Sequence, residues 1–186
     1  MSASQSASQN YAEKVLASSV KFYPTQHDLP EDIRIQVAEI LNQTLFVLID
    51  LKGQVKYAHW NVKGLNFYPL HQLFDEIAGQ LEGFSDAVAE RVATLGSTAL
   101  GTVRLAAQGS NLPEYDLNSV DGKEHLAALV QPMTLTAQMV RVAIEQTADL
   151  GDADTSDLYT EISRSIDKYL WFIESHLQTP DRAEIR

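Results

Sequence analysis

From Glu31 to about His59, side chains suited to an interior return at steps of three and four: Val37, Leu41, Thr44, Leu48, Leu51 and Val55. Residues so spaced share one face of an α-helix. Pro30, just ahead of the run, suits a helix start, where a missing backbone donor costs nothing. The segment Lys63, Gly64, Leu65, Asn66 reads as a turn, with Gly64 placed as the helix C-cap. A second periodic stretch runs from about Tyr68 to Leu95, with Leu70, Leu73, Ile77, Leu81, Phe84, Val88, Val92 and Leu95 as its apolar stripe, and Gly96 closes it. A third spans about Asp121 to Leu150 through Leu126, Leu129, Met133, Ala137, Val140 and Ile144, ending at Gly151. Pro132 within it is expected to kink the helix or delay its regular start. A fourth, capped by Asp154 or Thr155, carries Leu158, Ile162, Ile166, Tyr169 and Ile173 inward.

The connections set the architecture. The first and third are short. Residues 97–120 contain Gly101, Gly109 and Pro113 and form a long second one, in which Thr102 to Ala107 has room for a short helix. The alternatives are a simple up-down bundle and a longer helical array, and the absence of a repeat period argues against the array. The pattern predicts an all-α protein, a ferritin-like four-helix bundle with a long second crossover carrying a short helix. The expected domain is 30–177, preceded by a flexible polar tail at 1–29 and followed by an extension at 178–186.

The second helix is informative on the side that is not apolar. At about 100° per residue, with Leu70 as origin, His71, Asp75, Asp86 and Glu90 fall between roughly 100° and 200°, opposite the stripe. Gly79 and Gly83 lie near them. His71 with Asp75, and Asp86 with Glu90, are each one turn apart, so either pair could share an ion. Asp75 and Asp86 are separated by about 16 Å of helix, however, which no single ion bridges. A second copy of the helix, packed antiparallel across a two-fold axis, solves this. His71 and Asp75 then face the partner's Asp86 and Glu90, the glycines let the backbones approach, and two equal sites result. His59, at the end of the first helix, is the natural further ligand. Mixed imidazole and carboxylate donors suit iron, with zinc or manganese as other occupants, and redox chemistry selects iron. Taken singly, each of these residues also has a plain structural reading: a solvated acid or a satisfied histidine.

Composition narrows the function further. The chain has no cysteine, which removes disulfides, thiolate metal sites and cysteine nucleophiles and is compatible with a reducing cytoplasm, the expected location. Its net charge of −11, from 25 acids against 14 Lys and Arg, favours cations and repels polyanions. The longest apolar run, Leu45 to Ile49, falls far short of the roughly 20 residues of a membrane span. The first ten residues lack the basic and apolar regions of a secretory signal.

The run Ala58, His59, Trp60, Asn61, Val62, Lys63, Gly64, followed by Phe67, Tyr68, Pro69, Leu70, His71 and on to Asp75, closely resembles the signature of the Dps proteins, the mini-ferritins. Asp86 to Arg91 continues it in register, and Asp167 to Glu174 in the last helix is similar too; the resemblance covers about 30–177. It implies a hollow homododecamer with a ferroxidase centre between two-fold related chains. His59, His71 and Asp75 would come from one subunit and Asp86 and Glu90 from the other, holding two irons per site. The Glu-x-x-His spacing of an intrasubunit ferritin centre occurs nowhere in this chain. The implied reaction is oxidation of Fe(II), with hydrogen peroxide preferred to oxygen, and storage of Fe(III) as a mineral, which protects against oxidative stress. Trp60 reads equally as a trap for stray oxidising equivalents and as an interface aromatic. By the same resemblance, Asp152, Asp157 and Glu161 are candidates for a three-fold entry pore, although acids at a helix N-terminus are also ordinary capping residues.

The alternatives are a nucleoid-associated structural protein that binds DNA, its metal binding incidental, and a signalling or adhesion module built on the same shell. Charge speaks against the first. Residues 1–27 hold only Lys14 and Lys21 against Glu13, and residues 178–186 balance Arg182 and Arg186 with Asp181 and Glu184. With so few phosphate contacts on offer, the expected DNA binding is weak or absent.

Overall fold

The computed structural model describes residues 20–178, and its elements in order are α1 (Glu31–Asn61), α2 (Phe67–Thr94), α3 (Val103–Gly109), α4 (Gly122–Asp149) and α5 (Ala153–Leu177). Among the described residues the β pairing is one isolated parallel bridge, Lys63 with Asp121. The fold is the all-α bundle that the periodicity predicts. Its four stripes meet in one core, where Leu41, Leu48, Val55, Ile77, Val88, Leu129, Val140 and Ile162 are fully buried. Leu73, Ile144 and Leu158 pack against it at the edge. Among the described residues no helix is long and apolar enough to cross a membrane.

Contacts at the helix ends give the topology. Arg34, near the start of α1, donates through Nη1 to the Leu95 carbonyl at the end of α2. Arg91, near the end of α2, reaches Asp152 at the start of α5. The Lys63–Asp121 bridge joins the end of α1 to the start of α4. α2 and α4 therefore run one way and α1 and α5 the other, and the second connection must travel the length of the bundle. It is laced to α1 as it goes. The Asn42 side chain donates to the Thr98 carbonyl at 3.2 Å and accepts from the Leu100 N–H at 2.9 Å, and Gln54 Nε2 donates to the Pro113 carbonyl at 3.0 Å.

The helix ends follow their sequences, with three differences. α2 and α4 each close on a glycine at positive φ, Gly96 at 87° and Gly151 at 82°. The Gly96 and Ser97 N–H groups return to the Ala93 and Val92 carbonyls, the paired bonds of a Schellman cap. α1 ends otherwise: Val62 turns extended and Gly64, φ 100°, lies in the turn beyond rather than capping. The physical reason is the 3.2 Å hydrogen bond from the Lys63 N–H to the Val120 carbonyl, which draws the chain toward the crossover. At α5 the cap is Asp152, not Asp154 or Thr155, because its carboxylate accepts from the Thr155 N–H. α4 runs through Pro132 without a delayed start, helped by a capping box between Asp121 and Glu124.

The segment 20–29, placed in the polar tail by composition, is docked along the body. The Tyr23 N–H donates to the Gly96 carbonyl at 2.7 Å, Lys21 exchanges backbone bonds with the Thr98 hydroxyl, and the Arg34 guanidinium lies 5.5 Å from the Phe22 ring centroid. The rest of the expected tail, residues 1–19, and residues 179–186 of the expected extension lie outside the described residues.

Candidate metal centre

The short turn between α1 and α2 brings His59 and His71 face to face. Their rings stack with centroids 3.7 Å apart and planes at 20°. Each Nδ1 lies 2.8 Å from the other residue's backbone carbonyl oxygen. A carbonyl can only accept, so Nδ1 carries the proton in both rings and donates. When the rings are neutral, both Nε2 atoms keep a free lone pair, the arrangement a metal-binding imidazole requires. The cross-tie fixes both rings before any ion arrives. It also satisfies a carbonyl at the C-terminal end of α1, which has no intrahelical partner.

Asp75, one turn beyond His71, extends the pair. Its Oδ1 lies 3.9 Å from His59 Nε2. The same oxygen accepts from Lys56 Nζ at 2.8 Å. That hydrogen bond, against a smaller opposing effect of burial, holds the Asp75 carboxyl below the usual carboxylate range, and the charges of Lys56, His59 and His71 add to it. Lys56 is a functional neighbour that the sequence reading missed. Its signal was position, since residues 56, 59 and 60 lie close together on one side of α1. Trp60 stands beside them, 68% exposed, with the Lys56 ammonium 5.7 Å from its ring centroid.

Asp86 and Glu90 are exposed on α2, away from the histidines of their own chain. Among the described residues neither side chain takes part in a hydrogen bond or an ion pair, and no three His, Asp or Glu side chains converge. Between the two ends of this face, Gly79 and Gly83 are also exposed, and a Cβ built at either would meet nothing within 4 Å. One chain thus brings His59 and His71 together, with Asp75 3.9 Å from His59, and leaves Asp86 and Glu90 apart.

The candidate pore acids divide. Asp152 is 2% exposed and committed inward, accepting from Arg91 Nη2 at 2.7 Å and from the Thr155 hydroxyl at 2.6 Å. It does the capping work offered as the alternative, and its ion pair with Arg91 ties α2 to α5. Asp157 and Glu161 are exposed one turn apart on α5.

Comparison with known proteins agrees with the fold. The ferritin-like domain family matches residues 38–183. The "DNA protection during starvation protein" of Agrobacterium fabrum is 40% identical over 159 residues, covering 86% of this chain and 98% of that protein. The structure of Dps from Mycobacterium smegmatis superposes with a TM-score of 0.81 at 31% identity, covering 86% of this chain and 96% of that one. A Dps protein of Vibrio cholerae O1, itself one of a broad superfamily of ferritin-like diiron-carboxylate proteins, aligns with a TM-score of 0.76 at 26% identity, over 81% and 94% of the two chains. A bundle with the long second crossover, a histidine pair locked at the α1–α2 turn and these matches lead to one conclusion: the chain belongs to the ferritin-like family, as a mini-ferritin of the Dps group.

Proposed function

We propose that this protein is a ferroxidase that stores iron: it oxidises Fe(II) at sites shared by two subunits and deposits Fe(III) inside a hollow oligomer, a dodecamer. The observation that carries the reading is the division of ligands along α2. The locked pair His59 and His71, with Asp75 beside it, stands at one end of this helix, and Asp86 and Glu90 stand exposed at the other. Antiparallel pairing of two such helices supplies each ligand set with the acids of its partner, and Gly79 and Gly83 leave room at the crossing. Iron is the substrate, and zinc or manganese would occupy the same donors without being turned over.

Holding two ferrous ions together lets hydrogen peroxide take both electrons at once. Two Fe(II), one peroxide and two protons give two Fe(III) and two waters, with no hydroxyl radical released. Oxygen is the slower oxidant in this reading. The carboxylates stabilise the ferric product, and proximity supplies the rest. Asp157 and Glu161 are the remaining candidates to line an entry pore for cations. Trp60 is a candidate to intercept stray oxidising equivalents. Protection from oxidative stress in the cytoplasm follows as the physiological role.

Mixed oligomers test the shared site. Chains carrying His59→Ala with His71→Ala are expected to be inactive, and so are chains carrying Asp86→Ala with Glu90→Ala. Co-assembled in equal amounts, they regain about one quarter of the wild-type sites, because half of the dimers are mixed and each mixed dimer holds one intact site. Ferric absorbance after peroxide addition reads the result. A mixture as inactive as its components would overturn the shared site, and full activity in the histidine variant alone would remove the iron chemistry.

The name of the Agrobacterium relative raises the second reading, binding of DNA. The charge of −11 and the balanced termini speak against a coat on polyanions. Chemical protection needs no such contact.

A further inference from the structure

His125, in the first turn of α4, is fully buried, and the iron site does not use it. Its Nδ1 lies 2.7 Å from the Tyr115 hydroxyl. The Tyr57 ring packs on Tyr115 with centroids 5.0 Å apart, and Tyr57 donates its own hydroxyl to the Leu117 carbonyl. His125 Nε2 is enclosed and has no hydrogen-bond partner among the described residues, although the Asn61 backbone carbonyl adjoins the ring. Two proton placements are conceivable. If Nδ1 held the proton, the ring would have no N–H left to offer the adjoining Asn61 carbonyl. With the proton on Nε2, the ring keeps an N–H for that carbonyl and the Tyr115 phenol donates to Nδ1. The second placement is the better one.

Both partners are neutral at ordinary pH. Burial lowers the pKa of His125 below 6.5, against the raising effects of the Asn61 carbonyl, Glu124 and Asp121 and together with the lowering effect of Lys63. Burial, with the charges of Tyr57 and Asp116, pushes the Tyr115 phenol well above its ordinary value. A neutral phenol gives up an electron readily only if its proton leaves in the same step, and here a base already accepts that hydrogen.

We infer that Tyr115 and His125 form a reversible one-electron store for the iron site. The inference rests on the ferroxidase reading above. Tyr57 and Asn61 are one turn apart on α1, so the aromatic cluster lies across that helix from His59, about 10 Å away. The store serves when a single ferrous ion is bound. One Fe(II) reduces peroxide by one electron, giving Fe(III), hydroxide and a hydroxyl radical at the site. Tyr115 supplies the second electron, and the radical becomes hydroxide. The phenolic O–H bond breaks, an N–H bond forms at His125 Nδ1, and a neutral tyrosyl radical remains beside an imidazolium. A later Fe(II) returns the electron as it becomes Fe(III), and the proton goes back to oxygen. The sum is the same as for a filled site: two Fe(II) oxidised per peroxide. Tyr115 is half-buried against the fully buried His125, whereas the indole of Trp60 is 68% exposed.

The test uses the assembled full-length protein, given about one ferrous ion per site, mixed with peroxide and frozen within milliseconds for electron paramagnetic resonance. Ferric absorbance is read on the same samples. A tyrosyl signal is expected in the wild type. It should vanish in Tyr115→Phe and fall at least about tenfold in His125→Gln. Replacing Tyr115 by 3-fluorotyrosine keeps the fold and the hydrogen bond and should add a fluorine splitting. An undiminished, unsplit signal overturns the proposal, as does a wild type that oxidises its iron without any tyrosyl signal. A photochemical arm uses a photoexcited ruthenium complex with persulfate as one-electron oxidant and no iron. There a fluorine-split radical supports the pair, and a radical elsewhere counts against it. Absence of ferric product in the iron arm would count against the ferroxidase reading, leaving the photochemical arm to judge the pair by itself.

Discussion

At Asp75 two demands meet on one carboxylate, because the Lys56 ammonium 2.8 Å away holds the group that an incoming metal ion would need. Solvent reaches this pair, and exposed ion pairs couple weakly, so Lys56→Gln should tighten zinc binding to the assembled protein by only about two- to fivefold. Isothermal titration measures this, and looser binding in the variant would show Lys56 to be a supporter of the site instead of a competitor. His125 makes a second prediction at this scale. Its folded pKa lies below the ordinary 6.5 because it is buried. Between those two values the unfolded chain binds the extra proton, so the stabilising contribution is complete above about pH 6.5 and is lost as pH falls through the folded value. Melting temperature should therefore drop more steeply from about pH 7 to pH 5 in the wild type than in His125→Gln. Parallel curves for the two proteins would contradict this. Neither partner was legible in the sequence: Lys56 and Asp75 are 19 positions apart, Tyr115 sits in a connection without periodicity, and only folding makes them neighbours.

Among the elements, α2 answers to two masters. Gly79 and Gly83 have open space where a Cβ would go, so alanine there should stiffen the isolated helix by up to about 1 kcal/mol each. If α2 packs closely on a second copy, the same methyl groups stand in the way. Gly79→Ala with Gly83→Ala is expected to keep helix content by circular dichroism while weakening assembly in sedimentation. A variant that assembles normally would place the dimer contact elsewhere. Gly96 is the opposite case. At φ 87°, with the Tyr23 carbonyl oxygen 2.7 Å from a built Cβ, Gly96→Ala should destabilise the fold itself, by roughly 1–2 kcal/mol, and loosen the docked segment 20–29. The stripes from Val37 to Val55 and from Leu70 to Leu95 were readable because burial imposes a period on apolar residues. The docking of 20–29 was not, because backbone bonds from Tyr23 and Lys21 ask for no particular side chain.

For the whole molecule, the net charge of −11 sets what the protein attracts. Intact oligomer should give no gel shift with duplex DNA at about 150 mM salt, and a clear one would restore the structural reading of the protein. The candidate site was legible to the extent that ligand types and one-turn spacings are written along a helix: His71 with Asp75, and Asp86 with Glu90. What spacing could not express was the burial of Asp152, which the resemblance offered as a pore acid and which Arg91 holds inside.

The separation of Asp86 from His71 has a consequence for the life of each newly made chain. On the proposed shared site, half a centre is inert. A lone subunit, its acids an entire partner away, would have nowhere to turn over iron, and redox chemistry would wait until a wall stands between the metal and the surrounding cell. Dilution works in reverse, since specific activity should fall with protein concentration once dimers part. On that reading the same residues that make the chemistry would act as an interlock on when it starts.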